Sequence, residues 1–425
     1  MSSFNDKKIV ILTDTFSTGA CMASQLSKSG FHVIACLSAE LGDLLDMVPQ
    51  HIKVDYLATI VYDTNKEPDE ALSEMISKIK SLGGNLIDVI AGAETGVLLA
   101  DRLSESLGLR SNGTLLSEAR RNKFVMGETI RSAGIRAVKQ LRASSWEEIN
   151  SWITEWNPSP FKLIVKPLNS AGSDSVTLCI NIDEVMNAFT SIMGKHNHLG
   201  LSNCAVLVQE FLEGTEYVID SVSRDGDHKI IAIWEYDRRP VNGANFVCFG
   251  QRLMIADEDR VQELVAYQKK VLTALNIVNG ASHGEIKWFK DEPVLVEVGA
   301  RCHGAEGCWI DIEDKVYGYN QAQVNIDCYI NPEAYNLIPY VPTIRKGYGS
   351  VVFIVVKHEG YFKEVNPIYL DEIKSMKSCT YVEFFLKQNR FVPKTIDCFT
   401  WVSYYSYYYF YHYHYHYHDY YYHLY

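Results

Sequence analysis

The feature that most constrains this chain is the alternation in its first hundred residues. Apolar runs of strand length at 8–13 (KIVILT), 31–37 (FHVIACL), 54–62 and 86–90 are separated by helix-like segments at 15–30, 70–82 and 94–107. Parallel strands need a crossover, and a helix supplies it, so this repetition predicts a parallel sheet covered by helices. The first turn, Asp14-Thr15-Phe16-Ser17-Thr18-Gly19, lacks the GxGxxG spacing of a dinucleotide site. This first unit is therefore expected to frame a substrate.

At 425 residues the chain is too long for one ordinary core. A net charge of −12 disfavours a nucleic-acid binder, which needs a clustered basic surface. The ten cysteines form no CxxC pair and no zinc-type cluster, and polar residues precede the first apolar run. The expectation is reduced thiols and a soluble, cytoplasmic protein that does not engage a membrane, since no apolar stretch approaches the roughly 20 residues of a span.

Further on, 283–307 (HGEIKWFKDEPVLVEVGARCHGAEG) reads as two strands, GEIKWF and PVLVEV, joined by a turn at 290–293. Each strand carries one acid, Glu285 and Glu297. Facing side chains on paired strands lie about 5 Å apart, so these carboxylates repel unless a cation joins them. With Arg301 four residues later, two oxygen ligands for Mg²⁺ and a fixed cation suit phosphate chemistry.

Upstream, a helix over 117–133 carries Lys123. Lys166 ends an apolar strand at 163–167 and precedes the small-residue loop Asn169-Ser170-Ala171-Gly172-Ser173, a device for gripping phosphate with a point charge and close backbone N–H groups. The run 206–217 (VLVQEFLEGTEY) is a strand, a hinge and a turn into a second strand. Such a hinge can offer backbone groups to a purine edge and a carboxylate to ribose hydroxyls. Strands at 216–222 and 228–236, a helix at 257–275 and a closing helix at 319–330 complete this region.

Taken in order, Lys123, Lys166 with its loop, the Gln209–Glu216 hinge and the Glu285/Glu297/Arg301 set resemble the ATP-grasp superfamily. EFLEGTEY, the GEIKW to VEVGARCHG hairpin and GAETGVLLADRL make the dipeptide-forming carboxylate–amine ligases (L-amino-acid ligase and carnosine-synthase-like enzymes) the nearest in character. The resemblance implies an α/β plus α+β architecture. A pre-ATP-grasp α/β domain would occupy 1–112, the ATP-grasp domain 113–331 and a truncated β-rich lobe 332–400, before a tail at 401–425. It implies ATP with one or two Mg²⁺ ions, Mn²⁺ being an alternative.

By the same resemblance, Lys123 and Lys166 would hold phosphates, and Ser170, Gly172 and Ser173 would cover the terminal one. Backbone groups of Glu210 and Leu212 would meet adenine. Glu216, or less well Glu213, would take ribose, and Glu285 and Glu297 the metal. Arg301 would stabilise the tetrahedral species, and His303 is a candidate acid or base. Many such enzymes have asparagine where this chain has Gly299, which leaves the number of metal ions open.

The implied activity joins a carboxylate to an amine, with amino-acid substrates, through an acyl phosphate. Alternatives are an ATP-grasp carboxylase, a ligase of another substrate, or a silent ATP-binding regulator. Substrate-contacting candidates are Glu94, Arg102, Asn245 and Arg252, and a homodimer is compatible with such an enzyme. From 404 to 425, 18 of 22 residues are Tyr or His. Low complexity of this kind need not pack, and a divergence from the true C-terminus near Thr400 is expected.

Overall fold

The computed structural model describes residues 7–409 except 40, 50, 255–259, 344–345, 385 and 387. Strands Lys8–Thr13, His32–Leu37, Ala58–Val61 and Asn85–Ala91 form a parallel sheet in the spatial order third, second, first, fourth. The first strand is apolar throughout because both its faces are covered. Val10 and Leu12 join a core with helix Thr18–Lys28, while Ile9 and Ile11 join one with helices Pro68–Ser81 and Val97–Ser106.

A second, antiparallel sheet has the order Gln140–Ala143, Val206–Glu210, Leu163–Pro167, Thr177–Cys179. Its apolar face is buried under helices Trp146–Trp156 and Ile182–Ile192. Sequence reasoning did not foresee either helix, although the first begins with a Ser145/Glu148 capping box.

The third sheet has eight strands. Its order is Glu292–Gly299, Gly280–Phe289, Glu216–Arg224, Asp227–Val241, Ala244–Leu253, Tyr348–Phe353, Ser403–Tyr409, Cys379–Phe384. The hairpin pairs Glu285 directly with Glu297, and the neighbouring ladder pairs Glu216 with Lys287 and Asp220 with His283. Alternation then sends Glu216, Asp220, His283, Glu285 and Lys287 to one face of the sheet.

Three segments differ from expectation. The helix over 117–133 is broken: a 3₁₀ turn at Glu118–Arg120 ends, and helix Lys123–Ser132 starts afresh. Asn122 is the reason, because its side-chain oxygen accepts from the N–H groups of Phe124 and Val125. Lys123 thus opens a helix. The helix expected over 257–275 is found at Val261–Ala274, and 257–259 lie outside the described residues.

Ser403–Tyr409 opens the segment expected to be an unpacked tail, yet it is an inner strand with Tyr404 and Tyr405 buried. Its Tyr and Ser residues serve as half-apolar strand formers there. The Tyr-His alternation itself lies outside the described residues. The ten cysteines form no disulfide. Among the described residues no helix is long and apolar enough to cross a membrane.

Candidate active site

Two cavities, of about 870 and 1130 Å³, share the 171–173 loop, Arg238, Phe246 and Glu285 as walls. The first lies between the two antiparallel sheets. The second reaches the N-terminal parallel sheet and the C-terminal segment 397–401.

Lys123, Lys166, Ser170, Gly172, Ser173, Glu210, Leu212, Glu216, Glu285 and Glu297 all line the first cavity. Being first in its helix lets Lys123 project back, where Nζ lies 2.5 Å from Glu297 Oε2 and donates to the Ser170 carbonyl at 2.6 Å. Lys166 is buried. Burial, and then the neighbouring Lys123 charge, push its pKa down to about 8.

Loop 169–174 is held from both sides. The Ser170 hydroxyl donates to Asp174 at 2.7 Å, and the Cys398 N–H donates to the Gly172 carbonyl at 3.2 Å. Gly172 has φ +68°, and a Cβ there would meet Cys398 Sγ at 1.9 Å. Only glycine meets both demands.

The hinge also has a definite geometry. The Glu210 carboxylate is turned away to Arg136 at 2.9 Å, and the Glu210 N–H is committed to the Lys139 carbonyl at 2.9 Å. Of the Glu210 backbone, the carbonyl is what can face a base. Glu213 is exposed to solvent, pairs with Lys162 at 3.0 Å and lines neither cavity.

Sequence reasoning missed two cations here. Arg238 donates to Glu216 at 2.6 Å and to Ser173 Oγ at 2.9 Å, and lies 3.6 Å from Glu285. Lys287 lies 3.3 Å from Glu216. Lys287 was findable, being two residues after Glu285 on the same strand face. Arg238 carried no local signal, since only the register of its strand brings it to acids far away in sequence.

Around the paired acids, burial favours the neutral form of Glu285, but His283 at 3.5 Å and Arg238 hold its carboxyl well below the usual range. Arg301 lines the second cavity and binds Glu94 through Nε at 2.8 Å. Glu94 comes from the 3₁₀ turn after the last strand of the N-terminal sheet, and it also pairs with Arg121. Burial opposes its charge, but Arg121, Arg301 and Lys123 hold it at about 2.

Gly299 makes this contact possible, since a Cβ there would fall 2.4 Å from Glu94 Oε2 and 3.2 Å from the Arg301 guanidinium carbon. Of the other substrate candidates, Arg102 is bound to Tyr62 and Pro68, Asn245 accepts from the Leu178 N–H, and Arg252 pairs with Glu235. None of these three lines either cavity.

A cavity with two lysines, one of them buried, a loop of small residues, a strand hinge and a cross-strand acid pair has the donors that phosphates and a base require. Residues 159–309 match the ATP-grasp domain family. The chain carries an ATP-grasp domain, and curated proteins similar to it include a synthase and ligases. It is 29% identical to dapdiamide A synthase of Enterobacter agglomerans over 78% of this chain and 76% of that one. It is 27% identical to alanine–anticapsin ligase of Bacillus subtilis, over 62% of this chain and 58% of that one. The L-amino acid ligase of Bacillus licheniformis shares its fold, with a TM-score of 0.73 at 16% identity over 96% of this chain and 94% of that one.

Proposed function

We propose that the chain uses ATP to activate the carboxylate of one amino acid as an acyl phosphate and joins it to the amine of a second. The observation that carries this reading is the place of Glu285, which walls both cavities and faces Glu297 across the hairpin. A phosphoryl group held at the paired acids would sit between a nucleotide in the first cavity and a carboxylate in the second.

The donor set there is two carboxylates, which suits a hard cation such as Mg²⁺ or Mn²⁺. Glycine at 299 adds no third donor, and the space above it is taken by Glu94, so we assign one ion to the protein's own ligands. When bound, the ion would neutralise charge that develops on the transferred phosphoryl group. Lys123 and Lys166 bind phosphate oxygens, with the Gly172 loop closing over them. The Glu210 carbonyl and Leu212 orient adenine, and Glu216 accepts from ribose while Arg238 and Lys287 hold it in place. Arg301, fixed by Glu94, stabilises the oxyanion of the tetrahedral species.

Phosphate release from ATP, screened over pairs of amino acids with mass spectrometry of the products, tests this reading. A dipeptide formed with equimolar phosphate is the expected result, and no phosphate above background with any pair would sink it.

Lys166 adds a pH signature. Its charged form binds anions, so affinity for metal-free ADP should be flat below pH 8 and fall by about tenfold per unit above it. ADP titrations in chelator at pH 7 and pH 9.5 measure the fall, and Lys166→Met should flatten it.

A further inference from the structure

Beneath the second cavity lies a buried polar cluster that the reading above leaves unused. Asp220, fully buried on strand Glu216–Arg224, stands between two imidazoles, with His283 Nδ1 at 2.8 Å from one carboxylate oxygen and His303 Nδ1 at 2.9 Å from the other. A carboxylate accepts, so both rings carry their proton on Nδ1 and present Nε2 on the far side.

The two Nε2 atoms have different surroundings. That of His283 lies 3.5 Å from Glu285. Among the described residues, that of His303 has the Tyr236 hydroxyl, at a loose 3.4 Å, and both His303 and Tyr236 line the second cavity.

The His303 ring is fixed from every side. It stacks on Trp309 with centroids 5.6 Å apart, meets Trp234 edge-on at 6.2 Å and lies 4.3 Å from the His283 ring. Its backbone is anchored as well, since the His303 N–H donates to Gln321 Oε1 and the Thr18 hydroxyl donates to the His303 carbonyl. An imidazole held in one tautomer by a buried carboxylate, with a lone pair at a cavity wall, is the arrangement of a general base.

We propose that His303, oriented by Asp220, is the base that deprotonates the incoming amine. The proposal rests on the acyl-phosphate reading and deepens it. An amino-acid amine arrives as an ammonium and cannot attack until a proton leaves. The N–H bond breaks, the proton passes to His303 Nε2, and the freed pair forms the C–N bond at the acyl carbon. The C–O bond to phosphate then breaks and its electrons leave with the phosphate, which carries off the second amine proton.

Among the described residues, the charged and titratable groups facing His303 are Asp220, His283, Tyr236 and Arg301, with Glu313 near Asp220. Burial lowers the His303 pKa and keeps the resting ring neutral, and the Asp220 carboxylate opposes that shift. Asp220 stabilises the imidazolium once it forms.

Hydroxylamine separates this step from the first. It is largely unprotonated at neutral pH and traps an acyl phosphate as a hydroxamate without needing a base. In His303→Gln the ratio of dipeptide to hydroxamate should fall about 100-fold, the lower range for a lost general base. In Asp220→Asn it should fall less, because one ring keeps an acceptor.

An unchanged ratio in His303→Gln, or equal loss of both products, overturns the base assignment. Stoichiometric zinc in the unaltered protein that is lost in His303→Gln also overturns it, because the cluster would then be a metal site. No hydroxamate from the unaltered protein with any carboxylate removes the acyl-phosphate reading, and the base with it.

Discussion

Replacing Glu297 by Gln is expected to lower dipeptide formation by roughly 10²–10³-fold or more, the scale set by removing one preorganised contact to developing charge. The substitution keeps shape and removes one of the two facing carboxylates. It also strips Lys123 of its carboxylate partner at 2.5 Å, so that lysine, still bound to the Ser170 carbonyl, has its charge available to phosphate oxygens. Binding of metal-free ADP should therefore be retained or strengthened while turnover is lost. The neighbouring ladder is backbone-paired and indifferent to the change, so the thermal midpoint should stay close to that of the unaltered protein. Turnover with the midpoint as control measures this, and unchanged turnover would remove the metal assignment.

Gly299→Ala should cost about 100-fold in turnover for a different reason. The added Cβ would occupy space 2.4 Å from Glu94 Oε2 and 3.2 Å from the Arg301 guanidinium carbon. Neither side chain can yield freely, because Glu94 is also held by Arg121. The pair must separate, and displacing a catalytic group by about 1 Å is enough for losses of that order. Nucleotide affinity should be little changed, since Arg301 and Glu94 line the second cavity and not the first. A loss of ADP binding equal to the loss of turnover would refute this account. Shortening Glu94 together with Gly299→Asn would then be the way to ask whether a third metal ligand can be accommodated.

What could be read from sequence follows the range of the forces involved. Glu285 and Glu297 were legible as near neighbours because a tight turn joins their strands, whereas their direct pairing depends on a one-residue register shift between Glu285 and Ile286. The parallel sheet was legible because its period is local. Lys123 was expected inside a helix over 117–133 and instead opens one, since the cap at Asn122 competes with a continuous helix. Arg238 stayed hidden because the hairpin that pairs Tyr236 with Glu216 carries a register shift between Ile230 and Ala232, and Arg238 lies beyond its paired stretch. Gly299 read as a missing ligand, whereas its space is filled by a carboxylate from another sheet. His303 was read as a candidate acid or base from its place after Arg301, but Asp220, which gives it an orientation, lies 83 positions earlier.

The place of Ser403–Tyr409 has a consequence for how the chain is made. This strand is inserted between Tyr348–Phe353 and Cys379–Phe384, both of which leave the ribosome before it. Until it emerges, those two strands have unpaired edges facing each other, and Phe353 lacks its Tyr404 neighbour. The N-terminal parallel sheet has no such dependence and can fold early, as domains do during synthesis. The eight-stranded sheet is completed by almost the last described residues, and a nascent chain paused in the 390s would display an open seam between Tyr348–Phe353 and Cys379–Phe384.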